Sequence, residues 1–507
     1  MSASHQPSIA GALREARALV LAGGGMRVAY QAGAVKALLD SGLRFAHADG
    51  ASGGTINLAA LMSGIDADDL CRRWRALHVK QFVSLQPAVE YLHAANMLAL
   101  GNADGLIQHV YPTLGVDIDK IRAATGIQAS FNVCRFDDKT VVPLPHTELD
   151  LARLVAASSL PIFMPAVPAD GATWTDAVWI KDANLLACVE RGARELWLIW
   201  CIGNTPVWRS GAFNQYVHMI EMSAVGALNA ELAAIADINA RIASGEVVLG
   251  HREPIVVYIV KPEIPLPLDP DFYFGRINAA TLIDMGYRDA RRTLQQLQPS
   301  PLSARATQMI EPGVGVSFRE TMSGAFALRA PDSHSGMGTP SVLAMHATIH
   351  IHDIVAFVAD PRHQADLTGH IDFAPFGTAI PAESGVFGLF VPSADPALSY
   401  MVYELGFQHQ GKAYYLAGKK HVHTGRPWRL WGETTTLYTT LHQGPNALGP
   451  VVGTGVLHLS IFELLRLLKT VHATYAPTTR RQIGAVYRFF IFFVTKLFRI
   501  YVLRRRS

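Results

Sequence analysis

The chain has 507 residues, half of them apolar and only 17% charged, so it is long enough for two or three domains with large cores. A formal net charge of +3 gives no general reason to expect nucleic acid as a partner. Four widely spaced cysteines (Cys71, Cys134, Cys188, Cys201) without a C-x-x-C pair argue against a disulfide framework or a structural zinc site and fit a reducing compartment.

Residues 1–16 read as an N-terminal tail, with no apolar stretch of signal-peptide length before Arg14 and Glu15. Over residues 17–298 apolar strand-like runs (ALVLA, IQASFNV, ELWLIWCIG, IVVYIV) alternate with helical patterns, among them the strongly periodic Ser223–Ile242. That alternation predicts an α/β domain. The first strand runs into Gly23, Gly24 and Gly25, which open a helix with apolar positions Ala34, Val35, Leu38 and Leu39. A second glycine turn, Gly50-Ala51-Ser52-Gly53-Gly54, follows about 25 residues on and opens another helix.

A serine between glycines fits a sharp strand-to-helix turn, where bulky neighbours would crowd the chain. Ser52 is therefore the candidate nucleophile, weak until a base takes its proton. The helix after it points its N-terminal dipole at the site. The loop Gly24, Gly25 and Met26, together with Gly53, is the candidate oxyanion cradle, because glycine lets main-chain amides approach an anion closely. Arg27 adds a cation for a phosphate headgroup or for fixing the loop. A rival reading is dinucleotide binding. Val28 stands where the third glycine of that fingerprint belongs, and the second glycine turn then goes unexplained.

Together these motifs resemble the patatin-like phospholipases over residues 17–300. Two further stretches carry the likeness: Ala157–Val167 (ASSLPIFMPAV), and Asp176 followed about 16 residues later by Gly192-Ala193. The resemblance implies a three-layer α/β/α fold and a Ser–Asp dyad, with Ser52 as nucleophile, Asp176 as base and no cofactor. Asp182 is the rival carboxylate, at a spacing that fits worse. An aspartate near its ordinary pKa of ~3.9 is a poor base at neutral pH, so Asp176 needs a dry pocket. Trp174, Val178, Trp179 and Ile180 are its candidate walls. Val28 after Arg27, and Ala177-Val178 after Asp176, depart from the family's glycines. These departures leave open a narrowed substrate range, or a chain that keeps the fold without turnover. A Ser-His-Asp arrangement through His218 or His251 also stays open.

Pro299, Pro301 and Pro312 predict a linker over residues 299–312. Residues 313–458 hold short alternating segments rich in Thr, Val, Tyr and Phe and predict a β-rich domain, a sandwich or a barrel. His346, His350 and His352 share one strand face near Asp353, His363 and Asp372; ordinary hydrogen-bonding histidines explain them better than metal ligands do, and no metal is assigned. Ile349–Phe390 and Met401–Lys420 loosely resemble an accessory region of bacterial glucose–methanol–choline oxidoreductases of the sterol-oxidase type. That likeness brings no catalytic residue. Gly453-Thr454-Gly455 is not a complete flavin fingerprint, so oxidation is not implied.

Residues 459–507 read as C-terminal helices. From Ala473 to Ser507 no residue is acidic, while Arg480, Arg481, Arg488, Lys496, Arg499 and Arg504–Arg506 are basic. The apolar run Phe489–Thr495 lies among them. Two readings stand side by side: a helix in a membrane interface beside anionic headgroups, or a helix docked on the protein's own core.

The overall reading is a lipid acyl hydrolase of phospholipase A or esterase type, acting on lipid or phospholipid esters at a membrane surface and not on nucleic acid. It places the protein in the cytoplasm, or peripherally on the inner face of a membrane. The alternative is a catalytically silent lipid-binding or recruitment protein on the same fold.

Overall fold

The computed structural model describes residues 16–502, apart from residues 79–80, 83, 87–90, 92–96, 330–337 and 426. Residues 1–15 of the expected tail and Arg504–Arg506 lie outside the described residues. The chain divides into two units, Met1–Glu311 and Pro312–Ser507.

The first unit is built on one mixed sheet. Its strands in chain order are β1 (Arg17–Leu21), β2 (His47–Ala51), β3 (Gln128–Arg135), β4 (Thr140–Pro145), β5 (Val167–Ala169), β6 (Ala172–Asp176), β7 (Glu195–Ile199) and β8 (Val256–Val260). They line up as β8-β7-β1-β2-β3-β6-β5, with β4 also paired to β3. The run from β8 to β3 is parallel, while β4 and β6 pair antiparallel with β3.

Successive strand residues point to opposite faces, and β1 uses both. Leu19 and Leu21 join an apolar layer with α1 (Ala29–Asp40), α2 (Gly54–Met62) and residues 279–290, whereas Ala18 and Val20 join one with Leu228, Leu232 and Ile235 of α3 (Ala212–Ala243). A sheet between two helical layers is the expected three-layer fold. α3 begins 11 residues before the predicted Ser223, and it is long and apolar enough to cross a membrane by length and composition. Its buried residues face the sheet, and the buried Glu231 carboxylate pairs with Lys181 at 2.6 Å.

The proline-rich stretch expected as a linker is instead packed on the first unit as far as Glu311. Ser300 N donates to Val257 O at 2.8 Å, Met309 N to Asn204 O at 2.8 Å and Ile310 N to Glu263 O at 2.7 Å. Ala306 and Met309 are buried. Proline removes regular ladders here, but isolated amides still find carbonyl partners.

In the second unit the sandwich-or-barrel question resolves as a barrel. Eight strands follow in order: β9 (Gly315–Leu328), β10 (Ser341–Ile351), β11 (Gln364–Phe373), β12 (Gly377–Pro392), β13 (Leu398–His409), β14 (Lys412–His423), β15 (Thr436–Gln443) and β16 (Val451–His458). Each pairs antiparallel with the next, and β16 returns to β9, closing the sheet. Closure leaves no barrel edge open to another chain. Inward positions such as Phe318, Met322, Phe326, Leu343 and Ile349 form the core.

One polar group sits among them. Lys420 Nζ donates to Glu320 Oε1 at 2.7 Å and to Tyr403 OH at 3.2 Å, and Tyr403 OH donates to Glu320 Oε2 at 2.7 Å. All three side chains are buried, so each satisfies the other two. Two helices follow the barrel, α4 (Ile461–Thr470) and α5 (Thr479–Tyr501). α5 packs Ala485, Phe489, Phe492 and Ile500 into the barrel core, with Phe489 5.6 Å from Phe318 between ring centroids. The docked reading therefore holds for that face of the helix.

The histidines of β10 lie on the outer side of the barrel, alternating with the buried Met345, Ala347, Ile349 and Ile351. His346 bonds Asp372 at 3.1 Å and stacks on His370, His350 bonds Thr368 at 3.0 Å, and His352 bonds Asp366 at 3.1 Å. Among the described residues no group of three or more His, Cys, Asp or Glu side chains is arranged to hold a metal ion.

Candidate active site

Ser52 sits at the junction of β2 and α2 with φ +49°, in the left-handed region that non-glycine residues rarely occupy. A serine held there projects its hydroxyl away from both elements, at a conformational cost of ~1–3 kcal/mol that surrounding packing must offset. The packing is close. A Cβ on Gly54 would stand 2.2 Å from Leu21 O, so only glycine lets α2 start against the end of β1.

Asp176 ends β6, and the β3–β6 pairing sets it opposite Val133. Ser52 Oγ donates to Asp176 Oδ2 at 2.6 Å, and Val178 N donates to Asp176 Oδ1 at 2.9 Å. Ser52 is 8% exposed and Asp176 1%. Burial pushes the Asp176 carboxyl up to about 7, against the lowering effect of its two hydrogen bonds. Of the expected walls, Trp174 and Val178 are buried, while Ile180 is exposed. Trp179 instead meets Tyr216 edge-on at 5.7 Å, and Tyr216 meets Phe163 at 5.4 Å. Burial, and then the Asp176 charge, push the Tyr216 hydroxyl up to about 12.

The glycine loop is anchored by two carboxylates. Gly23 N donates to Asp182 Oδ2 at 3.1 Å, and Met26 N donates to Asp269 Oδ1 at 3.2 Å. Arg27 closes the loop from the other side, donating from N and from Nε to Gly24 O. The expected Met26 donor is therefore already engaged, and Arg27 fixes the loop. The Gly24, Gly25 and Gly53 amides donate no hydrogen bond among the described residues. Gly53 faces the loop: a Cβ there would stand 2.8 Å from Gly25 O and 3.3 Å from Gly25 N.

Asp182 is not the partner of Ser52, but it borders the site. A Cβ on Gly23 would lie 2.2 Å from Asp182 Oδ1 and 2.7 Å from Ser52 Cβ, so the two side chains face each other across the space Gly23 leaves. Asp182 is fully buried, and its Oδ1 has no hydrogen-bond partner. Burial, and then the Asp176 charge, hold its carboxyl well above the usual range. Asp269 is also raised by burial, with Arg27 opposing. Neither anchoring role was visible in the sequence; Asp269 opens a short helix, Asp269–Tyr273, after a Pro-rich stretch with no motif around it.

The patatin-like phospholipase family model matches residues 19–187, which contain Ser52, Asp176, Asp182 and the glycine loop. Residues 19–187 are a patatin-like domain. The match supports lipid hydrolysis as the general activity of this region. Among solved structures, VipD from Legionella pneumophila is similar at 13% identity and a TM-score of 0.31, over 57% of this chain and 69% of that one. No curated protein matches as a relative. The family match ends before the barrel, and no comparison supports the likeness of Ile349–Phe390 and Met401–Lys420 to an oxidoreductase accessory region.

The patatin-like domain accommodates its departures from the family glycines. Val28 is fully buried behind the loop, where the missing Cβ of Gly53 makes room for it. Ala177 and Val178 are buried too, and Val178 keeps its amide on Asp176. Among the described residues no histidine hydrogen-bonds Ser52. His218 is held by Glu221 and Arg209 N, and His251 by Val189 O. A cavity of about 390 Å³ beside the start of α3, lined by Trp208, His218 and Met222 among others, includes neither Ser52 nor Asp176.

Proposed function

We propose that the patatin-like domain is a serine hydrolase of lipid acyl esters, working through Ser52 and Asp176. The observation that carries the reading is the 2.6 Å hydrogen bond from Ser52 Oγ to a buried carboxylate whose proton affinity is raised to about 7. That value suits a general base at neutral pH. Asp176 takes the Ser52 proton as Oγ attacks the ester carbonyl. The uncommitted amides of Gly24, Gly25 and Gly53 receive the developing oxyanion, aided by the N-terminus of α2. Asp176 then returns the proton to the departing alcohol. Water, activated by the same carboxylate, hydrolyses the acyl enzyme. The aromatic group Phe163, Trp179 and Tyr216 offers an apolar wall for an acyl chain.

Labelling with a fluorophosphonate probe and mapping the modified residue tests this directly. The expected result is a single label on Ser52, lost in Ser52→Ala. A label elsewhere, or ester turnover undiminished in Ser52→Ala, rejects the assignment.

A further inference from the structure

α5 has two apolar faces. The inner one packs Phe489, Phe492 and Ile500 into the barrel core. The outer one carries Ile483, Tyr487, Ile491, Val494, Phe498 and Val502, each between 43% and 66% exposed. Their spacing sets them in one row along the helix, about 28 Å long at 1.5 Å per residue. A helix that only covers a core turns charged and polar residues outward, so this row lacks its expected complement. Arg480, Arg481, Arg488 and Arg499 are exposed on the same helix and make no ion pair among the described residues. α4 repeats the pattern on a smaller scale, exposing Ile461, Phe462, Leu465 and Leu468.

The occupant of this face has to offer apolar depth along the row and negative charge beside it. A second copy of the chain fails the second requirement, because it would set the same arginines against each other. An anionic lipid surface meets both, since apolar side chains sink below the headgroups while arginines remain among the phosphates. We propose that the outer face of α5 docks the protein on an anionic bilayer. The docking face belongs to the second unit and Ser52 to the first, so docking can be read without turnover.

The test is flotation of the full chain with vesicles of phosphatidylcholine mixed with phosphatidylglycerol, and with vesicles of phosphatidylcholine alone. Wild type and Ser52→Ala are expected to float with the mixed vesicles and much less with the neutral ones. The double variant R488Q/R499Q should lower partitioning to mixed vesicles by about thirtyfold. I491D/F498D should abolish it. Both variants change exposed positions, and unchanged turnover of a soluble short-chain ester shows that the first unit is intact; a circular dichroism melt monitors the whole chain. Absence of wild-type flotation with mixed vesicles, or undiminished flotation of I491D/F498D, overturns the proposal. A wild-type dimer that I491D/F498D converts to monomer, without vesicle binding by either, also overturns it and assigns the face to a second copy.

Discussion

Ser52 Oγ and Asp176 Oδ2 lie 2.6 Å apart although 124 positions separate them in the chain. One stands at the start of a helix after β2 and the other at the end of β6. β2 and β6 lie end to end along one edge of β3, with Ala51 opposite Asn132 and Asp176 opposite Val133, while β4 takes the other edge. The relationship makes the pair testable as a unit.

Replacing either member removes turnover by a different amount. Ser52→Ala deletes the nucleophile and is expected to lower kcat/KM on a soluble ester by ~10³-fold or more. Asp176→Asn keeps a hydrogen bond to the hydroxyl but removes the base, for a loss of ~10²–10⁴-fold. Steady-state kinetics on both, with the double variant no worse than Ser52→Ala, checks the coupling.

The pH dependence follows from the raised carboxyl. Asp176 accepts a proton only when ionised, so kcat/KM should fall as pH drops through about 7, with one proton involved. A pH–rate profile without an acidic limb near that value contradicts its role as base.

Stability should move the opposite way. The folded-state pKa of Asp176 is above that of an unfolded aspartate, ~3.9. Its contribution is most favourable below that unfolded value and is lost as pH rises to about 7, because the folded chain then has to bury the charge. Asp176→Asn retains an acceptor for Val178 N and a partner for Ser52 Oγ, and carries no charge. Above neutral pH it should be more stable than wild type by ~1–3 kcal/mol while inactive. Urea melts at acidic and alkaline pH test this, and equal stability of the two proteins at alkaline pH would refute it.

Asp182 is expected to position the loop. Asp182→Ala leaves Gly23 N buried without its acceptor, an effect of ~1–3 kcal/mol on the loop. It should lower kcat ~10-fold or more, with the acidic limb of the pH profile unmoved. Asp182→Asn can still accept from Gly23 N and should stay within a few-fold of wild type. If both variants lose activity equally, the carboxylate does more than hold the loop.

The polar group inside the barrel sets a separate stability test. Lys420→Met strands the buried Glu320 and should cost ~3–5 kcal/mol. Replacing both residues by apolar ones of similar volume should recover most of that loss, because it removes both buried charges together. Thermal denaturation of the single and double variants measures the difference.

Local pattern carried much of this. The two glycine turns, their spacing and the strand that precedes each one point to Ser52, because a nucleophile turn demands small residues at fixed offsets. The order of strands and helices gave the α/β domain, since burial on two faces writes long apolar runs, and the family resemblance added its three layers. The short alternating segments after residue 313 gave a β-rich unit but not its closure, because the pairing of β16 with β9 joins residues far apart in the chain. The linker expectation failed for a related reason: prolines mark irregular backbone, and irregular backbone can still be packed.

The sequence by itself determined a candidate nucleophile, the α/β domain and the cationic, acid-free C-terminus, which are properties of residue type and local period; the candidate base came from the family resemblance. Only the tertiary structure decided which amides stay free. Met26 N is taken by Asp269 and Gly23 N by Asp182, both partners more than 150 positions away. It also decided that α5 docks and exposes apolar residues at once. A hydrogen bond between distant segments, and the side of a helix that a barrel leaves uncovered, are set by how elements pack in space, and no local pattern encodes that.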